Sequence, residues 1–239
     1  MGRLRMARRS RRNDQRSSRR NLWLGAAVVA ILVLSIVGYY VIDVRAGTAT
    51  RVSSTTSSTT STSSLGPYAV LQTSQGAIVI QLFPTIAPVT VANFEQLANS
   101  GFYSDLVWHR IVQGFVIQTG DPTTRDGAGN ESAWGGGGSG TTIAFENTSL
   151  LAAEEGTVAM ARGSALDSAS SQFFINLANN TSLTGQYTIF GRVVMGMNVA
   201  LYLGNLPVNP DCQSSGQADC QPLQPDQAML FSVSIQDTP

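Results

Sequence analysis

The stretch WHRIVQGFVIQTGD, Trp108–Asp121, decides how the folded part of this chain is read. Flanked by Leu106 and Val107, it splits into LVWHRI and GFVIQTG, two short β-branched or aromatic runs that predict a strand pair. The one histidine of the chain, His109, stands there beside Arg110, one of four arginines between Tyr68 and Pro239. On strand periodicity Arg110 and Val112 face one way, and His109 and Ile111 the other. In the next run Phe115 and Ile117 alternate with Val116 and Gln118. Downstream, SQFFINL alternates Gln172 and Phe174 with Phe173 and Ile175. A cation and two glutamines beside Phe115 and Phe174 suit an apolar pocket with a polar edge. By spacing alone, an exposed arginine with ordinary edge glutamines accounts for the pattern as well.

Outward from this stretch the pattern stays short-stranded. YAVLQTS and AIVIQLF around a Gln-Gly turn predict a hairpin. PVTVANFEQLANSG reads as a helix, with Pro88 in its first turn and Gly101 at its end. GTVAMA, SQFFINL and YTIFGRVV are further strands, MGMNVALYLGN a second helix, and MLFSVSIQD a closing strand. Many strands, two helices and no βαβ alternation predict an all-β fold, a closed antiparallel barrel or a sandwich.

The formal net charge of zero conceals a division. Residues 1–21 are arginine-rich, whereas Tyr68–Pro239 carries four arginines against thirteen acids, and the chain has no lysine. Within residues 22–44 an uncharged run, WLGAAVVAILVLSIVGYYVI, spans about 30 Å as a helix, enough to cross a bilayer. The basic segment before it predicts a cytoplasmic N-terminus and an extracytoplasmic remainder, single-pass at the cell membrane. Cleavage near AGTA, residues 46–49, and secretion are the alternative. Residues 45–66, largely Ser and Thr, read as a flexible linker, leaving 67–239 as one folded domain. Cys212 and Cys220 fall in one polar insertion, where a local disulfide is favoured over a metal site.

Several chemistries are excluded. There is no G-x-S-x-G elbow for a serine hydrolase and no GK[ST] after the glycines at 135–138. The sparse cations of the domain argue against nucleic acid. One histidine cannot furnish the usual metal hydrolase sites, and no cofactor is implied.

Taken together, WHRIVQGFVIQTGD, GTVAMAR, SSQFFINL and LTGQYTIFGRVV resemble the cyclophilin family of peptidyl-prolyl cis/trans isomerases. TSQGAIVIQLFPTIAPVTVANFEQLANSGFY is similar to the family's first hairpin and helix, so the resemblance runs from about Tyr68 to Ile235. It implies a closed eight-stranded barrel with a helix over each end and a groove on an outer face. It also implies an isomerase of X–Pro bonds, acting as a monomer on unfolded or secreted polypeptides. The catalytic arginine then falls on Arg110, and the proline pocket on Phe115, Val116, Phe174 and Leu183. Polar groove residues fall on Gln118 and Gln172, peptide-pairing backbone on Ala161 and Arg162, and the rim on Tyr187. His109 is expected as a structural residue. Ser182 replaces a tryptophan that contacts cyclosporin in sensitive members, and Arg162 an asparagine frequent in eukaryotic ones. The competing expectation is a non-catalytic proline-peptide-binding module.

Overall fold

The computed structural model describes residues 66–210 and 220–239. The expectations for the basic N-terminus (1–21), the membrane helix (22–44), nearly all of the linker (45–66) and Cys212 fall outside the described residues. Among those described, no helix is long and apolar enough to cross a membrane.

The domain opens with the expected hairpin, β1 (Tyr68–Thr73) and β2 (Gly76–Leu82), in a register that pairs Thr73 with Gly76. Helix α1 (Pro88–Asn99) follows. Pro88 sits in its first turn, where a missing N–H costs nothing. The other end closes as a Schellman turn: the Gly101 and Phe102 N–H groups donate to the Ala98 and Leu97 carbonyls, with Gly101 at φ +72°. No side chain of the helix's own first turn caps it. Glu146, from a loop 56 residues on, supplies the cap instead. Its carboxylate accepts from the Val89 and Thr90 N–H groups at 2.9 and 2.8 Å and from the Thr90 hydroxyl at 2.6 Å. An anion at a helix N-terminus also meets the positive end of the backbone dipole. Glu146→Ala is therefore expected to cost about 1–2 kcal/mol, read as a lower denaturation midpoint, with Glu146→Gln losing less. An unchanged midpoint in both variants would remove this cap from the account.

The remaining strands are β3 (Leu106–Val107), β4 (Arg110–Val112), β5 (Val116–Thr119), β6 (Thr157–Met160), β7 (Phe173–Asn176), β8 (Ile189–Met195) and β9 (Met229–Gln236). Helix α2 (Met197–Gly204) lies between the last two. All pair antiparallel in one sheet, in the order β3-β9-β1-β2-β8-β6-β7-β5-β4. Two expectations are corrected here. Among the described residues the strands number nine instead of eight, and the ladder of hydrogen bonds does not close. The cause lies in LVWHRI, which is not one strand. It breaks at Trp108–His109, so that β3 pairs with β9 while β4 pairs with β5 at the opposite edge. Only two residues separate these edges, and a chain of that length reaches at most about 11 Å. The sheet therefore curls until its ends are joined covalently through Trp108 and His109.

Alternation on the strands divides the apolar residues between two faces. On the inner face Phe94 of α1 lies 5.4 Å from Phe173 and 5.1 Å from Phe190, measured between ring centroids, and Trp108 lies 6.0 Å from Phe173. Leu71, Ile80, Ile117 and Ile175 complete that core. The outer face carries a smaller cluster of Val116, Ala159, Phe174 and Ile189, with Phe115, Leu183 and Tyr187 packed at its margin. Phe115 breaks the expected period. It lies in the turn before β5, next to Gly114 at φ +67°, and joins the outer cluster with Val116 instead of following Ile117 inward.

Candidate active site

The outer cluster floors a groove of about 340 Å³. Its walls include Arg110, Phe115, Val116, Gln118, Ala161, Arg162, Phe174, Leu183 and Tyr187, which is nine of the ten positions named from the sequence. Three adjacent antiparallel strands bring most of them together. The β4–β5 register sets Arg110 opposite Gln118, and the β5–β7 register sets Gln118 opposite Phe174. Side chains opposite one another on neighbouring strands share a face, so a cation, an amide and an aromatic ring emerge side by side.

A relay of amides orders the polar edge. Arg110 Nη1 approaches Gln118 Oε1 at 3.5 Å, and Gln118 Nε2 donates to Gln172 Oε1 at 2.8 Å. Gln172 Nε2 in turn donates to the Gly135 and Gly137 carbonyls at 2.9 and 2.7 Å. Gln172, the tenth position, is thus buried behind Gln118 and lines a smaller adjoining cavity, not the main groove. Its place is to fix the orientation of the amide in front of it.

Asp121 organises the loop beyond. One carboxylate oxygen accepts from the Thr123 N–H and hydroxyl, the other from the Gly135 and Gly137 N–H groups. Burial pushes this carboxyl up, but the donors from Gly137, Thr123 and Gly135 outweigh it and hold the group below the usual carboxylate range. The glycine run has a steric reason as well, because a Cβ at Gly137 would collide with Asp121 Oδ1. The loop delivers Trp134 and Gly135 to the groove wall.

Neither Asp121, Trp134 nor Gln221 was identified from the sequence. Asp-Pro-Thr at 121–123 signals a local Asx turn, but nothing local announces bonds to residues 135 and 137. Gln221 closes the wall near Arg110 and donates to the Glu131 carbonyl at 2.6 Å. Its neighbour Cys220 accepts from the Ile111 N–H at 2.8 Å, so the cysteine insertion is rooted on the edge of β4. Cys220 is buried and is not a free thiol.

At Ala161 and Arg162, expected to pair with a peptide, the backbone is only partly engaged. Ala161 N–H is committed to the Gln172 carbonyl at 2.9 Å, whereas the Ala161 carbonyl and Arg162 N–H have no partner among the described residues. At the rim, Tyr187 packs edge-on against Phe174 at 5.2 Å, and the Arg162 guanidinium lies 5.2 Å from the Tyr187 ring.

His109 lines the groove but is only 3% exposed. Burial lowers its pKa to about 4, with Arg110 adding to the lowering and Asp121, Val107 and Gln172 opposing it. It is therefore neutral at physiological pH. The folded pKa lies below the unfolded value near 6.5, so the unfolded chain binds the proton more readily. Stability from this residue is whole above pH about 6.5 and is lost as pH falls towards about 4. The expected loss is about 3 kcal/mol in a denaturation series, flattening below that pH. Turnover between pH 6 and 8 should show no inflection from His109, as a general base there would require.

The family description "Cyclophilin type peptidyl-prolyl cis-trans isomerase/CLD" matches residues 68–225. The mouse peptidylprolyl isomerase domain and WD repeat-containing protein 1 is 41% identical over 145 residues, 59% of this chain and 21% of that protein. The chain thus spans about a fifth of that relative's length. A peptidyl-prolyl cis-trans isomerase of Acinetobacter baylyi is 35% identical over 170 residues, 69% of this chain and 83% of the relative. Among solved structures, a cyclophilin type isomerase of Cryptosporidium parvum, crystallised in the presence of the dipeptide Ala-Pro, is 27% identical. It aligns with a TM-score of 0.59 over 71% of this chain and 98% of its own. The chain belongs to the cyclophilin-type peptidyl-prolyl cis-trans isomerase family.

Proposed function

We propose that the chain catalyses cis/trans isomerisation of X–Pro bonds in extracytoplasmic polypeptides and so assists their folding. The observation that carries this is Arg110, which lines the same groove as the apolar pocket of Phe115, Val116, Phe174 and Leu183. Amide resonance holds an X–Pro bond planar behind a barrier of about 20 kcal/mol. As the bond twists, the proline nitrogen loses conjugation and gains a lone pair. A guanidinium directed at that nitrogen favours the twisted form over either planar isomer. Arginine suits the role, since it keeps its charge and presents donors in a fixed fork.

The apolar pocket grips the proline ring, and the Ala161 carbonyl and Arg162 N–H hold the adjoining chain as a short strand. Rotation is then confined to one bond. An acceleration of about 10⁵-fold needs about 7 kcal/mol of differential stabilisation, more than one hydrogen bond supplies. Charge, pocket and backbone act together, and no proton changes hands. The Ala-Pro dipeptide present with the Cryptosporidium relative supports a proline-sized occupant for this pocket.

The proposal extends to location and state. The domain acts as a monomer on unfolded or secreted chains, held at the cell membrane by residues 22–44, with Cys212 and Cys220 bridged in an oxidising compartment. Exchange NMR on an X–Pro peptide tests the activity directly. Catalytic amounts of the protein should accelerate cis/trans exchange. Peptide shifts that move on titration without faster exchange would leave a binding module and reject the isomerase.

A further inference from the structure

Arg162 stands where the proline groove meets the smaller cavity beside it, and it lines both. The second cavity, about 330 Å³, is walled by Gln118, Gly135–137, Gly163, Ser168, Ser170 and Gln172. Among the described residues, neither cavity has an acidic residue in its lining. Arg162 thus borders both cavities on a wall without a described carboxylate, and the nearest buried anion, Asp121, is spent behind that wall on the Gly135 and Gly137 N–H groups.

Arg162 is also held still. Its Nε donates to the Gln186 carbonyl at 2.9 Å, and its Nη1 to the Gly163 and Ser164 carbonyls at 2.9 and 3.4 Å. Its guanidinium rests 5.2 Å from the centre of the Tyr187 ring. Every one of these partners is neutral. Among the described residues the one carboxylate ion pair is Arg192 with Glu154, well outside both cavities' linings. Asp167, the acid nearest in sequence, accepts from the Phe145 N–H at 2.8 Å instead. Among the described residues, Nη2 of Arg162 has no hydrogen-bond partner. A mobile surface arginine gives up rotamer entropy when it binds, whereas this one has already lost it.

We propose that Arg162 selects substrates by binding a carboxylate side chain carried within a few residues of the X–Pro bond. The preferred clients are then acidic segments of unfolded polypeptide. The proline ring enters the outer-face pocket, the flanking chain runs past Ala161 into the second cavity, and its Asp or Glu meets Nη2. This rests on the isomerase reading for its rate measurement, but not for its binding measurement.

The test uses the full chain and X–Pro peptides that differ only in carrying Glu or Gln, placed in turn at each of three positions on either side of the proline. At one position the Glu peptide should show a kcat/KM about 3- to 5-fold above its Gln partner, chiefly through KM, shrinking as salt is added. In Arg162→Gln that ratio should fall to about one, and Arg162→Lys should restore part of it. The ratio is taken within each variant, so a merely structural Arg162 would slow both peptides alike and leave the ratio unchanged. Equal rates at every position in the wild type, or a preference that survives Arg162→Gln, would overturn the proposal. If no peptide is turned over, the isomerase reading fails alone, and the Glu-to-Gln affinity ratio from chemical-shift titration decides the role of Arg162 by the same criteria.

Discussion

Arg110→Ala is expected to slow the catalysed X–Pro exchange by about 10²–10³-fold, the usual cost of removing one donor directed at developing charge. The domain should stay folded. Arg110 is half-buried at the groove wall, and the strand it belongs to keeps its pairing with β5 and its Ile111 bond to Cys220. Arg110→Lys separates charge from geometry. A lysine preserves the charge but not the fork of donors, so an intermediate rate is expected. Exchange NMR on one peptide, with backbone dispersion as the check on folding, measures all three proteins. Full activity in a folded Arg110→Ala would remove the guanidinium from the mechanism and leave the apolar pocket to account for the whole effect.

A second large effect separates two adjacent residues. Phe173→Ala is expected to lose about 3–5 kcal/mol of stability, a large part of the 5–15 kcal/mol that holds an ordinary domain together. Its ring touches Phe94, Tyr103, Trp108 and Phe190 on the inner face, where a cavity cannot fill with water. Phe174→Ala empties a site on the groove floor, which solvent reaches, so its stability loss should be smaller. Its KM for proline peptides should rise steeply, because a large apolar part of the groove floor is gone. Urea denaturation and peptide kinetics on both variants check the pair. Equal stability losses with equal kinetics would contradict the division of β7 between core and groove.

That division is legible in the sequence itself. Period-two alternation at 172–175 and at 110–112 sorts the residues as the structure does, because each run lies on one regular strand with a fixed register. Pro88 and Gly101 marked the helix ends because proline and glycine act through their own backbone angles. The misreadings share a different physical character. Alternation cannot show that a strand changes partner, so nothing in LVWHRI marks Trp108–His109 as the step between the two edges of the sheet. Phe115 left the period because the turn around Gly114 resets it. Asp121 gathers residues 14 and 16 places away, and the Cys220 carbonyl reaches the Ile111 N–H across more than a hundred. Such bonds depend on the folded path, and no local pattern encodes them.

Pairing between the first strand and the last has a consequence for how the protein is made. β1 joins β2, its neighbour in sequence, along one side and β9 along the other, with Tyr68 opposite Gln236. On the ribosome the first hairpin emerges early, but one side of it stays an open edge until residues 229–236 have been synthesised. Contacts of such long sequence separation slow folding and prolong exposure of that edge to stray pairing. A chain lacking residues 229–236 would have nearly every groove residue in place and its sheet still open. Protection of that edge therefore rests on the eight residues Met229–Gln236.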